Sequence, residues 1–316
     1  MNVSFLLKQY FDNLSDVSID VFDSHTLNDI YQNVFKTLTS YFEIEVSVLQ
    51  ALSYCFYEIL DNVHIHSGRP IGTAMTHFDA QKEVLRVLVA DDGMGIRESL
   101  AKNDKFCGIT EKEALFRCIE DSVTDGKGMG FGLYATSRLM KDVGLRFVIH
   151  SGCHKLISEH GETNVVKNGL WKGTIVYLEI TTSREIDPND VVEHRTDADV
   201  QYNECFVETD ELGSLWRDFP AERTFTFSKY GTDFGTREMG AMIRKELKSI
   251  IDKGVSVALD FSGVNVVSNS FSDECIAKLL LEMPLDSLKR IISFRNLTPM
   301  AERSILIALQ RRYKLL

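Results

Sequence analysis

The sequence predicts an α+β chain in two units, and three observations predict it. Helical and extended patterns follow one another up to Thr182. The composition then turns polar and acidic over SREIDPNDVVEHRTDAD. From Arg223 onward, strands separated by helices return, which implies an α/β layer with crossover connections. A length of 316 residues suits two domains with a core each. The boundaries read as 1–184, a linker over 185–222, and 223–316.

Composition narrows the function classes. Apolar content of 44% with 26% charged residues fits a soluble globular protein. The net charge of -11 argues against nucleic acid, which needs an electropositive surface. No apolar run is long enough for a membrane span, and the N-terminus lacks the pattern of a leader peptide. Cys55, Cys107, Cys118, Cys153, Cys205 and Cys275 show no CxxC spacing, so reduced thiols in a cytoplasmic setting are expected.

In chain order, residues 1–15 open with a short helical pattern, and VSIDVF over 17–22 alternates like a strand. Helical spacing covers 27–42, with Asp23 or Ser24 as its cap. A long helix covers 47–66. Its stretch YCFYEILDNVHIHS carries an apolar stripe at Phe56, Ile59, Leu60 and Val63. Glu58 and Asn62 are four residues apart and so share one face of it. Residues 75–78 and 84–90 read as strands, and the second ends in Asp91-Asp92-Gly93-Met94-Gly95. Residues 97–125 read as loop-like, with a short helix over 111–121. The run Gly126-Lys127-Gly128-Met129-Gly130-Phe131-Gly132-Leu133 then leads into a helix over 133–143. Strands are expected at 145–150 and 174–180, joined by a long hairpin connection, with Gly173 and Thr174 opening the second. In the second unit, strands are expected at 224–227, 255–261, 264–267 and 290–294, and helices at 237–253, 271–281 and 300–310.

These residue types suit a bound nucleotide. Phosphates want backbone N–H donors and a helix N-terminus, which a glycine-rich loop running into a helix supplies. Lys127 adds positive charge. Mg²⁺ on the phosphates needs only one or two protein oxygens, and Asn62 is a candidate. Glu58, one turn earlier, can take a proton from a nucleophile. Asp91 at a strand end can accept from a purine amine, and Gly93 and Gly95 let the backbone lie close to the base.

The order of these pieces resembles the GHKL (histidine-kinase-like) ATPase superfamily over about residues 15–182. The pieces are ExxxN on a helix, DxGxG after a strand, a long intervening segment, GxGxG into a helix, and a strand opening Gly-Thr. The resemblance implies a Bergerat-type α/β sandwich that binds ATP and Mg²⁺. It makes Asn62 the metal ligand and Asp91 the partner of the adenine amine. Gly93 and Gly95 shape the adenine pocket, and Thr174 supports it. Lys127, Gly128, Met129, Gly130, Gly132 and Leu133 form the phosphate loop, and residues 97–127 the ATP lid. Within the superfamily the chain looks most like the anti-sigma-factor serine kinases, which carry a histidine where His66 stands.

The second unit, through LDFSGVNVVSNSFSDE, looks like a smaller STAS-like α/β domain, similar to anti-anti-sigma factors, over about residues 223–312. Asn269 stands where those proteins place a phosphoacceptor serine, flanked by Ser268 and Ser270. Together the resemblances imply a bacterial partner-switch-type regulator that hydrolyses ATP or transfers its γ-phosphate to a protein serine. Glu58 would be the base, and lid closure would be coupled to the STAS-like module. They also imply a protein partner or self-association. The alternative is an ATP-gated interaction protein without catalysis, a regulator or defence-system component. Residue reading alone gives His150, Cys153 and His154 a weak metal signal, since no second cluster completes a site. Ser268, Ser270 and Ser272 read first as turn and cap residues.

Overall fold

A five-stranded antiparallel sheet forms the frame of the first unit in the computed structural model, which describes residues 2–12, 14–41, 44, 46–121, 123–125, 132–186 and 219–314. The chain divides into two compact units, Met1–Val191 and Val192–Leu316. The first is mixed α+β. Its elements are α1 (Val3–Tyr10), β1 (Ser18–Phe22), α2 (Leu27–Tyr41), α3 (Val46–His66), β2 (Gly72–Asp79) and β3 (Val84–Ala90). They continue with α4 (Ile96–Leu100), α5 (Glu111–Arg117), α6 (Gly132–Asp142), β4 (Gly144–Glu159) and β5 (Glu162–Thr181). The strand order is β1-β2-β3-β5-β4.

Strand alternation decides what each face of this sheet buries. Met75, Leu88, Val148 and Tyr177 share one face, where they form a core with Leu6, Tyr10 and Phe11 from α1 and its C-cap. Val87, Val89, Phe147, Val176 and Leu178 occupy the other and are equally buried; α3 packs on β2 and β3 and α6 on β4. Helix α3 is enclosed along most of its length, as its continuous apolar sequence requires: every residue from Ala51 to Asp61 is buried. Among the described residues, no helix is long and apolar enough to cross a membrane.

Three local expectations change. The connection between the strands expected at 145–150 and 174–180 is itself a paired ladder running to Glu159↔Glu162. It turns at His160 and Gly161, both at positive φ (53° and 82°), the geometry that suits a two-residue hairpin. The segment after Gly95 is more than loop. Helices α4 and α5 both pack against β4, and Thr110 and Glu113 close a capping box at the start of α5. That helix ends at Arg117 rather than at 121.

The second unit comprises β6 (Arg223–Thr226), β7 (Asp233–Phe234), α7 (Arg237–Ile251), β8 (Val257–Asp260), β9 (Val266–Val267) and α8 (Asn269–Cys275). A 3-10 segment (Ala277–Leu281), α9 (Leu285–Ile291), β10 (Ile292–Arg295) and α10 (Pro299–Lys314) complete it. Strands β10-β8-β6 form a parallel sheet, and β7 pairs β9 in parallel. The helix expected over 271–281 breaks at Ile276 into an α and a 3-10 piece. The strand expected from Arg290 starts at Ile292, because Leu285–Ile291 is a helix with Leu285 and Leu288 buried. The core is aromatic, with Phe227 stacked on Phe261 at 4.1 Å between ring centroids.

Ionic contacts tie these helices together. Asp273 of α8, 2% exposed at its side chain, takes Arg237 of α7 at 3.1 Å and Arg312 of α10 at 3.0 Å. Glu274 beside it takes Arg244 at 2.8 Å. Removing one member of a buried pair strands the other, so Asp273→Ala is expected to cost about 3–5 kcal/mol of stability by urea unfolding. A loss below about 1 kcal/mol, the value of an exposed pair, would contradict this account of the three-helix junction.

Candidate functional site around the end of helix α3

Of four separate stretches of sequence, three meet the C-terminal part of α3 or the residue just past it, and the other, β5, joins them through the turn after β3. The first is the turn after β3. The Met94 N–H donates to the carbonyl of Ser67, just past the helix, at 2.7 Å. Gly93 lies so close that an added Cβ would sit 2.3 Å from that same oxygen. The second is the start of α6. A Cβ on Gly132 would lie 2.9 Å from the Glu58 Cβ and 3.5 Å from the Asn62 Nδ2. Gly132 therefore lets α6 begin directly against the two polar residues of α3. Glu58 is buried and Asn62 half-buried.

The third stretch is β5. Ser151 on β4 accepts from the Ile96 N–H at 2.9 Å and donates to the Gly173 carbonyl at 3.0 Å, stapling the glycine turn to the strand. Gly173 has φ +97°, and a Cβ there would fall 2.4 Å from the Asp91 carbonyl oxygen and 2.6 Å from its Oδ1. The position admits glycine on both counts. Thr174 follows, half-buried, and its carbonyl accepts from the Asp91 N–H at 2.9 Å. The fourth stretch precedes the glycine run: Asp125 Oδ2 lies 3.0 Å from His66 Nδ1.

Asp91 is the electrostatic centre of the arrangement. It is 4% exposed. Burial, partly offset by the main chain of Gly93 and Thr174, pushes its carboxyl up from the usual 3.8 to about 7. The Gly93 N–H donates to its Oδ1 at 2.8 Å, and the Trp171 indole donates to its carbonyl at 3.0 Å. A polar acceptor held in an apolar setting is suited to a ligand that brings its own donor. Beside it, Gly93, Gly95, Ile96, Ser151, Trp171 and Gly173 line part of a cavity of about 310 Å³, with Arg97, Glu111 and Lys172 among its charged walls.

Lys127, Gly128, Met129 and Gly130 fall outside the described residues; Gly132 and Leu133 open α6. His64 and His66 point apart, as expected for neighbours on alternate helix positions: His64 packs edge-on to Phe22 while His66 meets Asp125. His154 Nδ1 lies 2.7 Å from Glu111 Oε2, and His150 Nε2 lies 2.9 Å from the Gly169 carbonyl. Ser99, Asp125, Ser151 and Trp171 are site residues that the sequence reading passes over. Their only local signals are polar character in otherwise apolar or glycine-rich surroundings.

In the second unit Ser268 caps α8. Its Oγ accepts from the Phe271 N–H at 3.0 Å and donates to the Gly235 carbonyl at 2.6 Å. Ser268, Asn269, Ser270 and Ser272 are all buried, so their side chains are not presented to a protein kinase in this conformation.

An acid whose pKa is raised on folding contributes stability at low pH that is lost as pH rises through the folded value. Asp91 should therefore weaken the fold progressively between about pH 4 and pH 7. Between about pH 5 and pH 8 the wild type should lose roughly 2–3 kcal/mol relative to Asp91→Asn. Urea unfolding at the two pH values measures this, and a pH-independent difference would contradict the burial account of Asp91.

Residues 240–302 match the family model of a STAS-like domain of unknown function (DUF4325). The match runs from Gly240 in α7 to Glu302 in α10 and takes in the parallel strands β8 and β10. No match to a curated protein is found for the chain.

Proposed function

We propose that the first unit is a GHKL-type, Bergerat-fold module that binds ATP with Mg²⁺, and that nucleotide occupancy governs what the STAS-like domain or a protein partner can bind. The observation that carries this reading is convergence. ExxxN of α3, the DxGxG turn, the start of α6 and the Gly-Thr of β5 are distant in sequence yet joined by direct contacts around one helix end. The residues present fit the group. A buried acceptor stands at Asp91, and glycines occupy the positions where the backbone is approached most closely. An amide oxygen is available at Asn62, enough for a cation that keeps most of its waters.

ATP with Mg²⁺ supplies the transferable phosphoryl group when bound. Asp91 accepts from the adenine amine, with Gly93, Gly95 and Thr174 shaping the base pocket. Asn62 offers its oxygen to the metal. Lys127, Gly128, Met129, Gly130, Gly132 and Leu133 serve the phosphates, through main-chain N–H groups and the Lys127 charge. Glu58, packed against the start of α6, takes the proton from water in an ATPase or from a serine hydroxyl in a protein kinase. The reading belongs to partner-switch-type signalling in a bacterial cytoplasm, with residues 97–127 as the lid.

The second reading is an ATP-gated interaction protein without catalysis. The burial of Ser268, Ser270 and Ser272 favours it over phosphorylation of this chain's own second unit. Incubation with γ-labelled ATP separates the readings: label in free phosphate or on protein supports catalysis, and ATP bound but never consumed supports the regulator. If catalysis is found, Glu58→Ala should lower turnover by about 10²–10⁴-fold and spare ATP binding. Asp91→Asn should weaken ATP binding itself by about tenfold or more, the value of a hydrogen bond to a charged group. Undiminished turnover in the first variant, or unchanged affinity in the second, would remove that residue from its role.

A further inference from the structure

The pairing of β4 with β5 slips where it reaches the Asp91 turn. Ser151 pairs with Thr174, but the next residue, Gly152, pairs with Trp171, so Lys172 and Gly173 form an insertion in β5. An insertion of this kind bends the strand and leaves its residues out of the ladder. Here it carries Gly173, at φ +97°, over the Asp91 main chain, and the Trp171 indole reaches the Asp91 carbonyl at 3.0 Å. One side chain spans the irregularity. Ser151 Oγ donates to the Gly173 carbonyl at 3.0 Å and accepts from the Ile96 N–H at 2.9 Å. That N–H opens α4, where the cap residue Gly95 has no side chain to serve it. Gly95 also leaves the hydroxyl room, since a Cβ there would lie 2.7 Å from Ser151 Oγ. Ser151 is 4% exposed, and Ile96 and Gly173 are buried. The hydroxyl thus satisfies two buried main-chain groups at once, which requires a group that both donates and accepts.

We infer that Ser151 is a positioning residue for recognition of the nucleotide base. Its hydroxyl fixes the spacing between the Gly93–Gly95 turn and the Gly173–Thr174 start of the strand, the two elements that flank Asp91. The inference rests on the nucleotide reading above and adds to it a residue that the sequence motifs do not contain. Ser151 acts through those elements, without contact to the ligand.

Adenosine and ATP share the base and differ in the phosphates. Loss of the Ser151 hydroxyl should therefore weaken both by the same factor. Calorimetry with ATP and Mg²⁺, and ligand-observed NMR with adenosine, read this out on the full chain at a temperature where circular dichroism shows the variants folded. Ser151→Ala is expected to bind each ligand about tenfold more weakly, the equivalent of one hydrogen bond. Ser151→Thr keeps the hydroxyl, and its added methyl can enter the cavity of about 310 Å³ that Ser151 lines, so it should recover most of the loss. Ser151→Cys, close in size but a weaker donor, replaces Ser151→Ala should that variant fail to fold, with the same parallel weakening expected. A merely structural serine would lower the melting temperature and leave both affinities intact in the folded protein. Unaltered affinities in the folded variants beside an ATP-binding wild type overturn this inference alone, as does weakening of ATP with adenosine spared, or a folded Ser151→Thr that recovers nothing. A wild type that binds neither ligand overturns the nucleotide reading and this inference with it.

Discussion

The burial of the Asp91 carboxyl is the constraint on which the first unit's site depends. Sheet geometry places it there: β3 sits between β2 and β5, and its last residues run into the turn beneath Trp171 and Gly173. An ionisable group in that position costs stability unless something donates to it. The main chain of Gly93 and Thr174 provides part of that compensation and leaves the carboxyl pushed up to about 7. The fold thus holds an acceptor whose ionised form a donor-bearing ligand would favour. On the nucleotide reading, local stability is set against binding, a trade common at functional sites.

Helix α3 organises the remainder. Its apolar faces are enclosed by α2, α6 and the sheet, which fixes its rotation and so fixes where Glu58, Asn62 and His66 point. Once that stripe is set, small residues decide what can approach it. Gly132 brings α6 against Glu58, and Gly93 brings the β3 turn against Ser67. In the second unit the equivalent role falls to α8, whose buried Asp273 and Glu274 draw arginines from α7 and α10. Ser268 is used up in capping that helix.

What was legible in the sequence was local. Glu58 and Asn62 on one helix face, the strand into Asp91 and the glycine turn all rest on spacing and residue type within a few positions. So do the strands and helices of the second unit, of which residues 240–302 match a STAS-like domain. The ladder over 152–171 was not legible, because its residues are largely polar and half-exposed and carry no apolar alternation. Helix Leu285–Ile291 was hidden because its apolar residues run without a break into the strand Ile292–Arg295. The bonds from Asp125 to His66 and Ser99, and from Ser151 to Gly173, span 59, 26 and 22 residues, beyond the reach of any local pattern.

The titration of Asp91 by carboxyl ¹³C NMR, with and without ATP, tests the central claim most directly. The account predicts a pKa of about 7 in the free protein, as burial requires. It predicts a fall on addition of ATP with Mg²⁺, because an amine donating to the carboxylate favours the charged form. A value near the ordinary 3.8 without ligand, or an elevated value that saturating ATP leaves untouched, would contradict it.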